Sequence, residues 1–141
     1  MNLLLGLVLL SLFANHGHCN LRFSDENRFV ILQLTDVHYG EGDDRDEANI
    51  NIQNKLIDLV NPDLVVVTGD IVSGYEYRGQ SNFFKNGFDK FRSSFSLKKK
   101  RYAMVPGNHD YECDLSIQEI FNLAAADPFS VLSQPDIKQQ R

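Results

Sequence analysis

Cysteine is scarce in this 141-residue chain: Cys19 and Cys113 are the only two. If a leader is cleaved after Cys19, one thiol remains, which excludes an internal disulfide. Cys113 then reads as a small buried or half-buried residue, because oxygen-rich sites for hard metal ions need no thiolate. No Asn-x-Ser/Thr acceptor occurs, so N-glycosylation lends no support to secretion. Basic residues are outnumbered 14 to 19, for a formal charge of −5. That balance argues against general nucleic-acid affinity and against a polybasic membrane surface. The uncharged stretch Leu3 to Phe13 is too short to span a bilayer. There is no internal repeat, low-complexity segment or linker, and no histidine follows His109.

What is present is ordinary for a folded domain, with 43% hydrophobic and 23% charged residues. Three short apolar runs stand out: Phe29 to Thr35, Leu64 to Thr68 and Tyr102 to Val105. Their β-branched content and Gly or Pro endings predict buried strands of a parallel sheet. Each run stops at a polar block: Asp36-Val37-His38, Gly69-Asp70 and Gly107-Asn108-His109-Asp110. Asp36 to Asp70 spans 34 positions and Asp70 to Asn108 spans 38, room in each case for a crossover helix and a return strand. The predicted class is α/β in βαβαβ order, and ligands of such sheets bind beyond the carboxyl ends of the strands.

At the amino end, the apolar stretch with Gly17 and Cys19 before a cleavage point reads as a secretory signal over residues 1–19. No Lys or Arg precedes it, so the amino terminus alone supplies positive charge. This reading places the body, 20–141, outside the cell or in an endomembrane or lysosomal lumen, with no transmembrane segment after cleavage.

Between the blocks the pattern is helical. The polar loop Gly40 to Asp46 leads into a helix whose apolar residues are Ile50, Ile52, Leu56, Ile57 and Val60, ended by Asn61-Pro62. The acidic run at 41–47 reads as a solvated loop whose carboxylates favour a helix N-terminus, with cation binding the alternative. Ser81 can cap a second helix, in which Phe84, Phe88, Phe91 and Phe95 form a core stripe and Lys98 to Arg101 a cationic C-terminal end. Asp114 or Ser116 can start a third, where Ser116-x-x-Glu119 is a capping-box pattern.

The blocks carry metal chemistry. Asp36 and His38 are two residues apart and can point the same way into the crevice. Gly69 lets the backbone turn sharply before Asp70, whose two carboxylate oxygens can bridge two ions. Asn108 offers an amide oxygen, His109 can act as an acid, and Asp110 can orient that histidine or close a structural turn. Taken singly each block is an ordinary cap or turn; three in this order at strand ends point to one site.

Together Asp36-x-His38, Gly69-Asp70 and Gly107-Asn108-His109-Asp110 resemble the first three motifs of the calcineurin-like metallophosphoesterase family. The runs Ile31 to Gly40 and Pro62 to Asp70, with Leu132-Ser133-Gln134, are similar to its purple-acid-phosphatase-like, Dcr2-type group. The resemblance implies one βαβαβ half of an αββα sandwich and a phosphate-ester substrate. It also implies two divalent or trivalent ions (Fe, Mn or Zn). Asp36 and His38 would hold the first, Asp70 would bridge, Asn108 would hold the second, and His109 would protonate the leaving oxygen as a bridging hydroxide attacks phosphorus. Purple acid phosphatases replace the first-block histidine and have a metal-binding tyrosine three residues after the bridging aspartate; here His38 is present and that position is Ser73, so no iron-tyrosinate centre is expected. The family draws further histidines from a second half that has no counterpart here. The chain therefore reads as the N-terminal portion of a larger phosphoesterase. A non-catalytic fragment or binding protein, or a nucleotide phosphodiesterase, are the alternatives.

Overall fold

A computed structural model describes residues 21–132, so the reading of 1–19 as a signal and the end of the tail lie outside the described residues. Three strands, β1 (Ile31–Leu34), β2 (Leu64–Val67) and β3 (Tyr102–Met104), alternate with α1 (Asp43–Val60) and α2 (Phe83–Lys98), and α3 (Ile117–Ala125) follows. The sheet is parallel in the order β1-β2-β3, with Leu32 opposite Val65 and Val65 opposite Tyr102. Right-handed crossovers that step in one direction put both helices on the same face, and α1 packs against α2 there. The predicted α/β class and βαβαβ order hold.

The core lies between the helices and that face. Val65, Val67, Tyr102 and Met104 point into it, where they meet Ile57 of α1 and Phe84, Phe88, Phe91 and Phe95 of α2. Phe91 is the hub: its ring centroid is 5.0 Å from that of Phe95, 5.5 Å from Tyr102 and 5.7 Å from Phe88. The phenylalanine stripe is thus a core face, as its spacing predicts. Beyond α3, Phe129 and Val131 run beside β3, Phe129 accepting from the Tyr102 amide at 3.0 Å and Val131 donating to the Tyr102 carbonyl at 2.8 Å.

Three expectations need correction. β1 is not a buried strand: Ile31 and Gln33 are exposed and Leu32 and Leu34 only partly buried, because it is an edge strand covered on one face. Ile52 is 56% exposed, because a step of two residues from the inward Ile50 turns a helix through about 200° to the outer side. Ser81 does not cap α2: the cap residue is Asn82, which makes no side-chain cap bond. Instead the Asp114 carboxylate, from the segment before α3, accepts from the amides of Phe83 (3.1 Å) and Phe84 (2.8 Å). Ser116 caps α3 with Glu119 in the predicted capping box.

Candidate metal centre

The three blocks meet at the carboxyl end of the sheet because pairing continues past the strands. The Asp36 amide donates to the Gly69 carbonyl (3.2 Å), His38 to Asp70 (3.0 Å) and Tyr39 to Ile71 (2.8 Å). To follow this path Asp36, His38 and Asp70 adopt left-handed backbone angles, with φ of 53°, 48° and 52°. Aspartate and histidine are among the few non-glycine residues that visit that region, at some cost. Such backbone cost gathers where a site needs its side chains aimed.

The loop after β1 is pinned from below. Buried Asp46 accepts from the Gly40 amide at 2.8 Å and from Lys90 at 2.7 Å, and Asn49 donates to the Val37 carbonyl at 2.6 Å. The acidic run is therefore not wholly a solvated loop: α1 already begins at Asp43, and Asp46 is buried and bonded within it. Gly69 and Gly107 lie back to back, since a β-carbon on Gly69 would sit 2.6 Å from the Gly107 Cα and one on Gly107 would collide with Asp70 Oδ1.

Ligand atoms of Asp36, His38 and Asp70 all lie within 4.8 Å of one another, a group able to hold a metal ion. The chemistry of the set fits: two carboxylates brought together repel unless a cation lies between them. His38 Nε2 is 3.9 Å from Asp36 Oδ1, and its buried Nδ1 lacks a hydrogen-bond partner. Asp70, only 9% exposed, accepts from the His109 amide through Oδ1 at 2.8 Å, which leaves its second oxygen for an ion. Asn108 is exposed in the same turn.

His109 stands beside this group, its ring centroid 5.5 Å from that of His38. Glu112 meets its Nδ1 at 2.7 Å, and that bond holds the imidazole pKa above its ordinary 6.5. Asp110 does not touch the ring. Buried, it accepts from the amides of Ile71 (2.9 Å), Val72 (2.8 Å) and Gly107 (2.8 Å). It closes the turn and ties the β2 loop to the β3 loop, so of its two open roles the geometry favours the structural one. Burial pushes its pKa up, against the opposing pull of these amides.

Three neighbours of the site were not singled out as site residues from sequence. Glu41 faces His38 Nδ1 at 3.9 Å, Glu112 holds His109, and the exposed Tyr75 ring lies over His109 at 4.0 Å between centroids. A signal existed for the glutamates, each three residues after a histidine of the blocks. Tyr75 reaches the site only through a short 3-10 turn at Gly74–Glu76.

Fold and site define an α/β domain whose strand ends gather a carboxylate–imidazole group suited to a metal ion. The chain belongs to the calcineurin-like phosphoesterase family, whose model matches residues 29–137, a family of phosphate-ester hydrolases that typically carries a dinuclear metal centre. It is 29% identical over 128 residues to Phosphatase DCR2 of Saccharomyces cerevisiae, covering 82% of this chain and 22% of that one. It is 27% identical over 116 residues to probable inactive purple acid phosphatase 29 of Arabidopsis thaliana (72% and 29% covered). With probable inactive purple acid phosphatase 28 of the same plant it shares 28% over 125 residues (79% and 30%). The chain thus spans less than a third of the length of these relatives, two of which are named as probably inactive. No solved structure gives a significant match. Among the described residues no helix is long and apolar enough to cross a membrane.

Proposed function

We propose that this chain carries the first-metal half of a phosphoesterase centre and that the protein hydrolyses phosphate esters outside the cell or in an endomembrane or lysosomal lumen. One observation supports this above the others: Asp36, His38 and Asp70, from two different strand ends, present ligand atoms within 4.8 Å. These three residues hold the first ion, and Asp70 with Asn108 begins the second position. Bound cations supply charge neutralisation at the phosphoryl oxygens and make water at the site more acidic. The remaining work belongs to the chain. His109, with Nδ1 taken by Glu112, has Nε2 to give a proton to the leaving oxygen. Gly69 and Gly107 keep the floor clear, and Asp110 fixes the two loops.

Calorimetric titration of the full chain with Mn, Fe(II) or Zn tests the metal half. One ion per chain is expected, with uptake abolished by Asp70→Asn. A chain that binds none of the three sinks the proposal. A form long enough to match the relatives, assayed on mono- and diester substrates, then tests hydrolysis itself. The rival reading, a non-catalytic product, is favoured by the relatives named inactive; metal uptake without turnover in that longer form would establish it.

A further inference from the structure

Two histidines of the site share an arrangement that recurs in the sequence as His-x-x-Glu: His38-Tyr39-Gly40-Glu41 and His109-Asp110-Tyr111-Glu112. In both, the glutamate carboxylate faces Nδ1 of the histidine three residues earlier, at 3.9 Å for Glu41 and 2.7 Å for Glu112. We propose that Glu41 and Glu112 are the positioning residues of the site, each fixing its imidazole with the proton on Nδ1 and so reserving Nε2, for a metal ion at His38 and for the substrate at His109. The assignment of those two tasks rests on the proposed phosphoesterase reading.

Glu41 is built for this rather than left at the surface. Its Oε2 accepts from Arg45 at 2.7 Å and its Oε1 from the fully buried Ser73 hydroxyl at 3.0 Å. Both partners come from other elements, α1 and the loop after β2, so the carboxylate is held with Oε1 3.9 Å from the buried Nδ1 of His38, which has no hydrogen-bond partner. On the far side of the ring, Nε2 lies toward Asp36. The backbone is shaped around Glu112 in the same way. A β-carbon on Gly74 would sit 2.6 Å from Glu112 Oε2 and 2.6 Å from the His109 carbonyl, so only glycine lets the Gly74 turn close over this pair. Tyr75, next in the chain, then covers the His109 ring. Glu112 grips the His109 ring at Nδ1 by a hydrogen bond, whereas Glu41 faces His38 Nδ1 with a held negative charge at 3.9 Å that favours the proton on that nitrogen; carboxylates so placed orient ligating histidines in metal sites generally.

Long-range proton–nitrogen correlation spectra of the ¹⁵N-labelled full chain, recorded at alkaline pH without metal, report which ring nitrogen carries the proton. Assignment comes from His38→Gln and His109→Gln. Both rings are expected as the Nδ1–H tautomer. Glu41→Gln should release only His38 and Glu112→Gln only His109, while Glu112→Asp retains the wild-type form. Glu47→Gln, at an exposed position of α1, is the control, and unchanged amide spectra show that each variant folds. Cobalt(II) titration followed by visible absorption adds a second readout. Glu41→Gln should weaken binding by about 10–100-fold, and Glu112→Gln should leave it within twofold of wild type. A ring found in the Nε2–H form in the wild type, or unmoved by its glutamate's substitution, overturns the proposal for that residue. No cobalt uptake by the wild type would instead count against the metal reading, with the tautomers still deciding what the glutamates do.

Discussion

A β-carbon on Gly107 has no room: it would collide with both the amide nitrogen and Oδ1 of Asp70, the carboxylate that the ligand group shares. Gly107→Ala therefore forces Asp70 to move or the β3 loop to open, and overpacking of this kind costs about 1–3 kcal/mol. Urea denaturation should show the loss, and metal affinity should fall with it, because the colliding atom belongs to a proposed ligand residue. Stability and affinity left at wild-type values would show that the loop yields easily. The sequence announced Gly107 as part of a turn, but its neighbour in space, Asp70, is reached only through the paired strands. Asp110 shows the same limit. Its spacing from His109 allowed two roles, and the choice is made by the amides of Ile71 and Val72, nearly forty positions away. Glu41 and Glu112, by contrast, have local spacing that a reader of the sequence could use.

At the level of elements, the period of α2 was legible while its start was not. The stripe of Phe84, Phe88, Phe91 and Phe95 is visible because burial repeats with the turn of α2. Its cap is invisible because Asp114 reaches across from 30 positions away to the amides of Phe83 and Phe84. Ser116 was legible because it and Glu119 satisfy each other within one turn of α3. The difference is testable. Asp114→Ala should cost about 1 kcal/mol and raise amide exchange at the start of α2, with α3 unaffected, whereas Ser116→Ala should loosen the start of α3 alone. If Asp114→Ala leaves α2 exchange unchanged, the long-range cap contributes nothing. The segment that carries Asp114 also follows Glu112, so this cap links the aromatic core to the His109 side of the site.

Across the whole molecule, one consequence of topology outweighs local detail: helices on a single face leave the other face of the sheet without a partner among the described residues. Ile31 is 55% and Val105 52% exposed there, and Gln33, Val66 and Ala103 sit opposite one another between them. The apolar runs made three parallel strands legible; which face is open follows from the crossovers, and which residues lie on it from the register. Val66 and Val67 are adjacent in β2 yet point to opposite sides, one half-buried on the open face and one fully buried in the core. A charge at Val67 must be desolvated without a counterion, so Val67→Lys should prevent folding. Val66→Lys reaches water and should cost no more than about 1 kcal/mol, the span of strand propensity, while lowering the binding of a hydrophobic dye. Denaturation midpoints of the two variants measure the difference, and equal losses would mean that the face is already covered, for instance by self-association. The same pair in a form as long as the relatives gives the sharper reading. If the added residues pack on this face, Val66→Lys becomes nearly as damaging as Val67→Lys; if they fold elsewhere, the gap between the two persists.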